Sequence, residues 1–227
     1  MLSKKLLSAS QTAAPAGDPI EYIGSYELSY STTAAGTSPL ITVGSSAISG
    51  VQSGDLLLVY ISDDVNHTIS NLGTGWSTLF SLRGTAGTSY MGGFQKTATS
   101  SDTSFTIDGS TSNGAPTIGM LAFRNAEFDF GYTETSDRDD PPDVNVSSGD
   151  ATVVSLHYQD DNSRSTSWSG TLGTQVVNSF RYVSSNLSSG TLVWYNLSPS
   201  NPFAPPDNTA GPSGDIGATT LVLRQSS

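Results

Sequence analysis

A faint internal repeat limits the folds open to this chain more than any other feature. Two Ser-Gly-Asp triplets, at residues 53–55 and 148–150, each open an apolar stretch that ends in an Asp-Asp pair. Each half of the chain then closes with an apolar segment that runs into arginine, at Arg124 and at Arg224. The matching features lie 95–100 positions apart, which predicts one strand pattern used twice, over residues of about 40–125 and 144–225.

The segments between the turns have the patterns of β-strands. Residues 55–61 form a nearly continuous apolar run, typical of a central strand covered on both faces, and residues 103–108 alternate polar and apolar side chains. No apolar pattern at helical spacing persists along the chain. We therefore expect an all-β protein: an antiparallel β-sandwich, jelly-roll-like, built from two similar halves that residues 133–143 link.

Length and composition fit one large β-domain. A chain of 227 residues can bury a sizeable core without covalent staples, and it has no cysteine, which excludes disulfides and Cys-ligated zinc. A single sandwich of interleaved halves is favoured because no flexible Gly/Ser linker separates them. Two small sandwiches in tandem remain the alternative.

The N-terminal segment differs from the rest. Residues 13–19 are rich in Ala, Pro and Gly, so residues 1–19 are predicted to form an extended arm and residues 20–227 the β-sandwich domain. The apolar stretch after the first lysines is too short for a cleaved signal peptide. A partner is predicted to hold the arm through its apolar and basic tip: Leu2, Lys4, Lys5, Leu6 and Leu7.

The charge balance excludes two classes of partner. The net charge is −11, and two of the three lysines, Lys4 and Lys5, lie in the arm, so the body is acidic. An acidic surface repels phosphate backbones and anionic lipid headgroups. No apolar run approaches the roughly 18 residues of a membrane span. We expect neither nucleic-acid binding nor membrane insertion.

No constellation of catalytic residues stands out. The only histidines, His67 and His157, are isolated, and no Gly-x-Ser-x-Gly nucleophile elbow occurs. Carboxylates are plentiful, but nothing singles out a pair with the spacing of a glycosidase. The sequence therefore predicts no catalytic residues, no enzymatic activity and no cofactor.

Two binding sites are weaker candidates. The aspartate pairs offer oxygen ligands for calcium, although aspartate in a turn more often caps the turn with its own side chain. These candidates are Asp63, Asp64, Asp160 and Asp161.

Aromatic side chains in the second half offer a platform for stacking sugars, and the competing interpretation is that they belong to the core. The candidates for a glycan site are Trp194, Tyr195 and Tyr182.

Two stretches resemble proteins of tailed bacteriophages. Residues 1–10 resemble the start of virion and tail-fibre proteins, especially those of marine phages. The segment that runs from residues 51–59 through Gly75-Trp76 to residues 121–124 is similar to a β-sandwich module of phage structural proteins. The resemblance implies a virion surface protein and carries no active-site residues with it.

Together these observations predict a non-enzymatic structural protein of the virion, either a capsid decoration or a tail or fibre component. The N-terminal arm would bind another capsid or tail protein and expose the acidic sandwich. By analogy with phage surface proteins we expect a homo-oligomer, with a trimer favoured. The alternative is a carbohydrate-binding adhesin on a phage or cell surface, which would be extracellular and recognise a host glycan.

Overall fold

The chain folds into strands. The computed structural model describes residues 18–29, 40–43, 48–63, 74–83, 90–99, 105–108, 117–134, 143–146, 151–159, 168–169, 173–184, 187–204, 207–208 and 216–226. Within these ranges every regular element is a β-strand, which confirms the predicted all-β class. None of the same residues forms a helix able to cross a bilayer.

The first half of the chain supplies seven strands. In chain order they are β1 (Glu21–Ser29), β2 (Leu40–Val43), β3 (Leu56–Asp63), β4 (Ser77–Arg83), β5 (Tyr90–Thr97), β6 (Phe105–Asp108) and β7 (Thr117–Arg124). Five of them form an antiparallel sheet, sheet 1, in the order β1-β7-β3-β5-β4, and β2 pairs separately with β6.

The second half also supplies seven strands. They are β8 (Ala126–Glu134), β9 (Ala151–Gln159), β10 (Trp168–Ser169), β11 (Thr174–Ser184), β12 (Leu187–Asn196), β13 (Asp207–Asn208) and β14 (Ile216–Gln225). Five form the antiparallel sheet 2, in the order β8-β14-β9-β12-β11, and β10 pairs with β13.

The two sheets have the same strand order when sheet 2 is read from β8. A further bridge between Val144 and Phe203 corresponds to the β2–β6 pair, because it joins the chain before β9 to the chain before β14. Each five-stranded sheet therefore takes all its strands from one half. The two antiparallel sheets agree with the predicted β-sandwich, while their order does not establish a jelly-roll path.

The repeat in the structure differs by one residue from the repeat in the sequence. Leu56 pairs with Phe123 and Thr152 pairs with Leu223, so β3 and β9 correspond at a spacing of 96 residues. The Ser-Gly-Asp triplets are 95 residues apart. Because successive strand residues face opposite sides, the position of Asp55 corresponds to Ala151 and not to the second aspartate of the motif.

The chain crosses between the sheets at a single residue. β7 ends at Arg124 and β8 begins at Ala126, and Asn125 between them has a positive φ of 55°. Asparagine tolerates this left-handed conformation better than most residues. The expectation that residues 133–143 link the halves is wrong, because β8 already belongs to sheet 2.

The central core lies between the two sheets. Sheet 1 contributes Leu58, Tyr60 and Phe123, among others, and sheet 2 contributes Val154 and Leu221. A second cluster covers the outer face of sheet 1, where Leu57, Val59 and Ile61 alternate with the inward residues of β3. β3 is therefore buried on both faces, as its unbroken apolar run predicts.

The outer face of sheet 2 carries a smaller apolar cluster. Val144 and Phe203, the two residues of the isolated bridge, pack there against Val153 and Val222. Both outer faces thus bury apolar side chains. The described residues therefore form three apolar clusters, one between the sheets and one on the outer face of each sheet.

Sheet 1 accommodates large inward side chains by placing glycine beside them. A Cβ at Gly93 would overlap the ring of Phe80, and one at Gly119 would overlap the ring and hydroxyl of Tyr60. Tyr60 pairs with Gly119 across β3 and β7, whereas the corresponding pair in sheet 2 is Leu156 with Thr219. Sheet 1 therefore fills this part of the core with one large and one minimal residue, and sheet 2 fills it with two of intermediate size.

All four edge strands of the two five-stranded sheets carry a β-bulge. The register shifts between Tyr22 and Gly24 on β1, between Thr78 and Phe80 on β4, and between Gln175 and Val177 on β11. On β8 the shift falls between Phe128 and Phe130, opposite the step from Leu223 to Val222. These bulges occupy corresponding places in the two sheets, and each bulge bends its edge strand.

Candidate functional sites

The base of the N-terminal arm is attached to both halves of the sandwich. Asn125 Nδ2 donates a hydrogen bond of 3.1 Å to the carbonyl oxygen of Pro19, and Gln225 Nε2 donates a hydrogen bond to the carbonyl oxygen of Asp18. The side chain of Ile20 is buried in the central core. The chain thus enters β1 from a fixed point beside the crossing residue and the last strand.

The predicted docking residues of the arm lie outside the described residues. Leu2, Lys4, Lys5, Leu6 and Leu7 all precede residue 18, where the description begins. Their role in binding a partner stays a prediction.

Asp55, which is buried, and Arg124, which is partly exposed, form a structural ion pair close to the arm base. The Asp55 side chain is 3% exposed and that of Arg124 27%. The Asp55 carboxylate also accepts a hydrogen bond of 2.7 Å from the backbone N–H of Gln52, and Arg124 Nη2 donates to the carbonyl of Gly50. The hydrogen bond to Asp55 raises the pKa of Arg124 above its usual value. The pair fastens the 50–55 turn to β7.

The corresponding arginine of the second half makes a more exposed pair. Arg224 Nε donates to Glu127 Oε1 at 2.8 Å, and Asp129 lies 3.8 Å from its guanidinium group. Glu21 is paired with Arg124 at the same register position of sheet 1. The repeat therefore preserves an arginine–glutamate pair in both halves, and only the first half adds a buried aspartate.

The structure gives one of the predicted glycan residues a partner. The ring of Tyr195 stacks on that of Tyr22, with centroids 4.3 Å apart and planes at 24°, and meets Phe123 edge to face at 6.0 Å. One face of the Tyr195 ring is therefore covered. Burial raises the pKa of Tyr22, while its hydrogen bond with Ser25 opposes the shift.

The other two glycan candidates are described by their backbone alone. Trp194 pairs with Gln175 and Ser155, and Tyr182 pairs with Ser188, each within sheet 2. Their side chains lie outside the described part of the structure.

The calcium candidates are also mostly outside the described residues. Asp63 is described by its backbone at the end of β3, and Asp64, Asp160 and Asp161 are not described. In the part of the chain that the structure covers, no three His, Cys, Asp or Glu side chains gather as a metal site would require.

A cleft of about 280 Å³ opens between the sheets on the β4–β8 side. It is lined by polar residues of β4, β5 and β8 and by one aromatic residue. The residues that matter for its chemistry are Ser77, Gln95, Lys96, Thr97, Glu127 and Phe128.

The sequence analysis missed this cleft. The signal that could have revealed it is the correspondence between Gln95 and Tyr195 and between Phe128 and Tyr22. That correspondence can be recognised only once it is known which residues pair across neighbouring strands.

Comparisons with known proteins do not assign the chain to a family. No family model, no curated protein and no solved structure matches it.

Proposed function

We propose that the protein is a non-enzymatic structural component of a bacteriophage virion, either a capsid decoration or a part of the tail or fibre. The N-terminal arm binds another virion protein, and the acidic sandwich faces outward. The resemblance of residues 1–10 and of the first β-module to phage virion proteins supports this proposal.

The observation that carries the proposal is the attachment of the arm base. Because Pro19 and Asp18 are hydrogen-bonded to the crossing residue and to β14, and Ile20 is part of the core, a force on the arm is passed to both sheets. Such a base suits a tether to a particle surface. The apolar and basic tip, with Leu6 and Lys4, suits an acidic partner surface with an apolar pocket.

The test is incorporation into particles. A variant that lacks residues 2–10 keeps the arm base intact, so we expect it to fold with an unchanged melting temperature but to be lost from particles of the phage that encodes the protein. Leu6→Ser combined with Leu7→Ser should reduce incorporation in the same direction.

A matched control is Leu197→Ser, which removes an exposed leucine of the body, 39% of whose surface is accessible. This variant should be incorporated normally. Incorporation of the deletion variant at the level of the complete chain would overturn the proposal.

We further propose a homo-oligomer, with a trimer favoured by analogy with phage surface proteins. Native mass spectrometry of the purified protein tests the stoichiometry, and a monomer at micromolar concentration would contradict it.

A further inference from the structure

The two lateral sides of the sandwich are unlike each other, although the strand order repeats. On one side β1 lies against β11, and Ser25 Oγ donates a hydrogen bond of 3.1 Å to the carbonyl oxygen of Val176. On the other side the corresponding strands β8 and β4 approach each other less closely, and the cleft lies between them.

A pair of aromatic rings closes the first side. Tyr195 on β12 stacks on Tyr22 on β1 and fills the space between the sheets. Tyr195 pairs with Thr174 and Val154, whereas Gln95 pairs with Ser77 and Leu58. Gln95 and Tyr195 therefore occupy corresponding positions.

Phe128 corresponds to Tyr22 in the same way. Each lies directly before the bulge of its edge strand, Tyr22 opposite Phe123 and Phe128 opposite Leu223. On the open side glutamine thus replaces the ring that would stack on Phe128. The missing ring accounts for the cleft.

Two residues beside the cleft have contacts of their own. Arg224 holds the Glu127 carboxylate through its 2.8 Å hydrogen bond. The stem of Lys96 crosses Gly75 so closely that a Cβ there would lie 3.1 Å from Lys96 Cε, and Gly75 has a positive φ of 87°. A glycine at 75 therefore lets the lysine lie along the wall.

We propose that this cleft binds one saccharide residue, with the C–H face of its ring on Phe128 and its hydroxyl groups on the polar wall. Aromatic faces attract polarised C–H groups. Gln95 offers both a donor and an acceptor, and the hydroxyls of Ser77 and Thr97 do the same, which matches a ligand whose hydroxyls do both.

The volume supports a single ring. Pockets for drug-sized ligands span roughly 300–1,000 Å³, and the cleft, at about 280 Å³, lies just below that range. A terminal sugar of a longer glycan could enter while the rest of the glycan stays outside.

The most direct test introduces at position 95 the tyrosine that the closed side has at the corresponding position 195. Gln95→Tyr places a ring opposite Phe128, so it should fill the cleft by stacking and abolish saccharide binding while the protein stays folded. Binding is measured by saturation-transfer NMR on the complete protein with methyl glucoside, methyl galactoside, N-acetylglucosamine and sialic acid as probes. At least one of them should give a signal with the unaltered chain.

Gln52→Tyr is the matched control, because it makes the same change at an exposed residue that does not line the cleft. It should leave the signal unchanged. Phe128→Leu keeps an apolar side chain and removes the ring, and we expect binding to weaken by about tenfold. This second variant keeps the test decisive if Gln95→Tyr fails to fold.

Three outcomes would overturn the inference. They are no signal from any probe, an undiminished signal in both cleft variants, and a signal that Trp194→Ala abolishes while Gln95→Tyr retains it. The inference does not depend on particle attachment by the arm, since binding by the purified chain can succeed or fail whatever the incorporation test gives.

Discussion

Arg124 on β7 holds the carboxylate of Asp55 side-on, with Nε 3.1 Å from Oδ1 and Nη2 3.1 Å from Oδ2. The second half has no equivalent, because Ala151 occupies the position opposite Arg224. One repeated arginine therefore pairs with a buried carboxylate and the other with exposed ones.

That contrast predicts unequal effects of the same substitution. Arg124→Met leaves the buried Asp55 carboxylate without its cation, so the free energy of unfolding should fall by clearly more than it does in Arg224→Met. Arg224→Met removes an exposed pair and should cost less than about 1 kcal/mol. Urea denaturation of both variants measures the difference. Equal losses of free energy would show that the ion pair with Asp55 stabilises the fold no more than the exposed pair with Glu127 does.

Removing the Tyr60 hydroxyl should stabilise the protein. This oxygen is buried without a hydrogen-bond partner in the described structure, and the adjoining crevice, lined also by Phe80 and Leu156, has no room for a water molecule. We expect Tyr60→Phe to raise the free energy of unfolding by about 1 kcal/mol. Tyr22→Phe, whose hydroxyl bonds Ser25, should not stabilise. A destabilised Tyr60→Phe protein would mean that the hydroxyl has a partner in solution.

The same tyrosine predicts a loss of stability in alkali. Burial raises the pKa of Tyr60 well above its usual value of 10.0. The unfolded chain releases this proton near pH 10 while the folded chain retains it, so unfolding becomes easier as the pH rises past 10. The slope approaches about 1.4 kcal/mol per pH unit for this one proton. Between about pH 8 and pH 11 the free energy of unfolding should fall less steeply with pH for Tyr60→Phe than for the unaltered protein. Equal slopes would show that the Tyr60 hydroxyl does not cause the loss of stability.

Gly119 and Tyr60 should be energetically coupled. A Cβ at position 119 would overlap the Tyr60 ring, so Gly119→Ala should cost about 2–3 kcal/mol through overpacking. Tyr60→Leu introduces the residue that sheet 2 has at the corresponding position, Leu156. In that background the alanine should cost at least about 1 kcal/mol less. A double-mutant cycle by urea denaturation measures the coupling, and strict additivity would contradict the packing described for this pair.

The sequence predicted the features that depend on neighbouring residues. The apolar run at residues 56–61 identified β3 as a strand buried on both faces, because that pattern needs no knowledge of distant contacts. The crossing at Asn125 was missed, since a single residue between two strands leaves no compositional trace. The acidic stretch at 133–143 looked more like a linker because it contains prolines and charges.

The cleft could not be predicted for a different reason. Gln95 and Phe128 become neighbours only when both sheets are formed, and their counterparts Tyr195 and Tyr22 are separated from them by 100 and 106 residues. These spacings differ because loops and bulges differ between the halves. A sequence repeat detected at 95–100 positions covers the first of these spacings and not the second, and neither Gln95 nor Phe128 carries a motif of its own.

The four bulged edge strands affect how copies of the protein behave when crowded. A flat, open edge offers its backbone N–H and C=O groups to any similar strand, and an interrupted edge is a poor template for such pairing. Here each interruption lies on β1, β4, β8 or β11, the strands that end the two sheets. Neighbouring copies are thereby hindered from joining into one continuous sheet, so a dense array of this protein should remain a set of separate molecules and not grow into fibres.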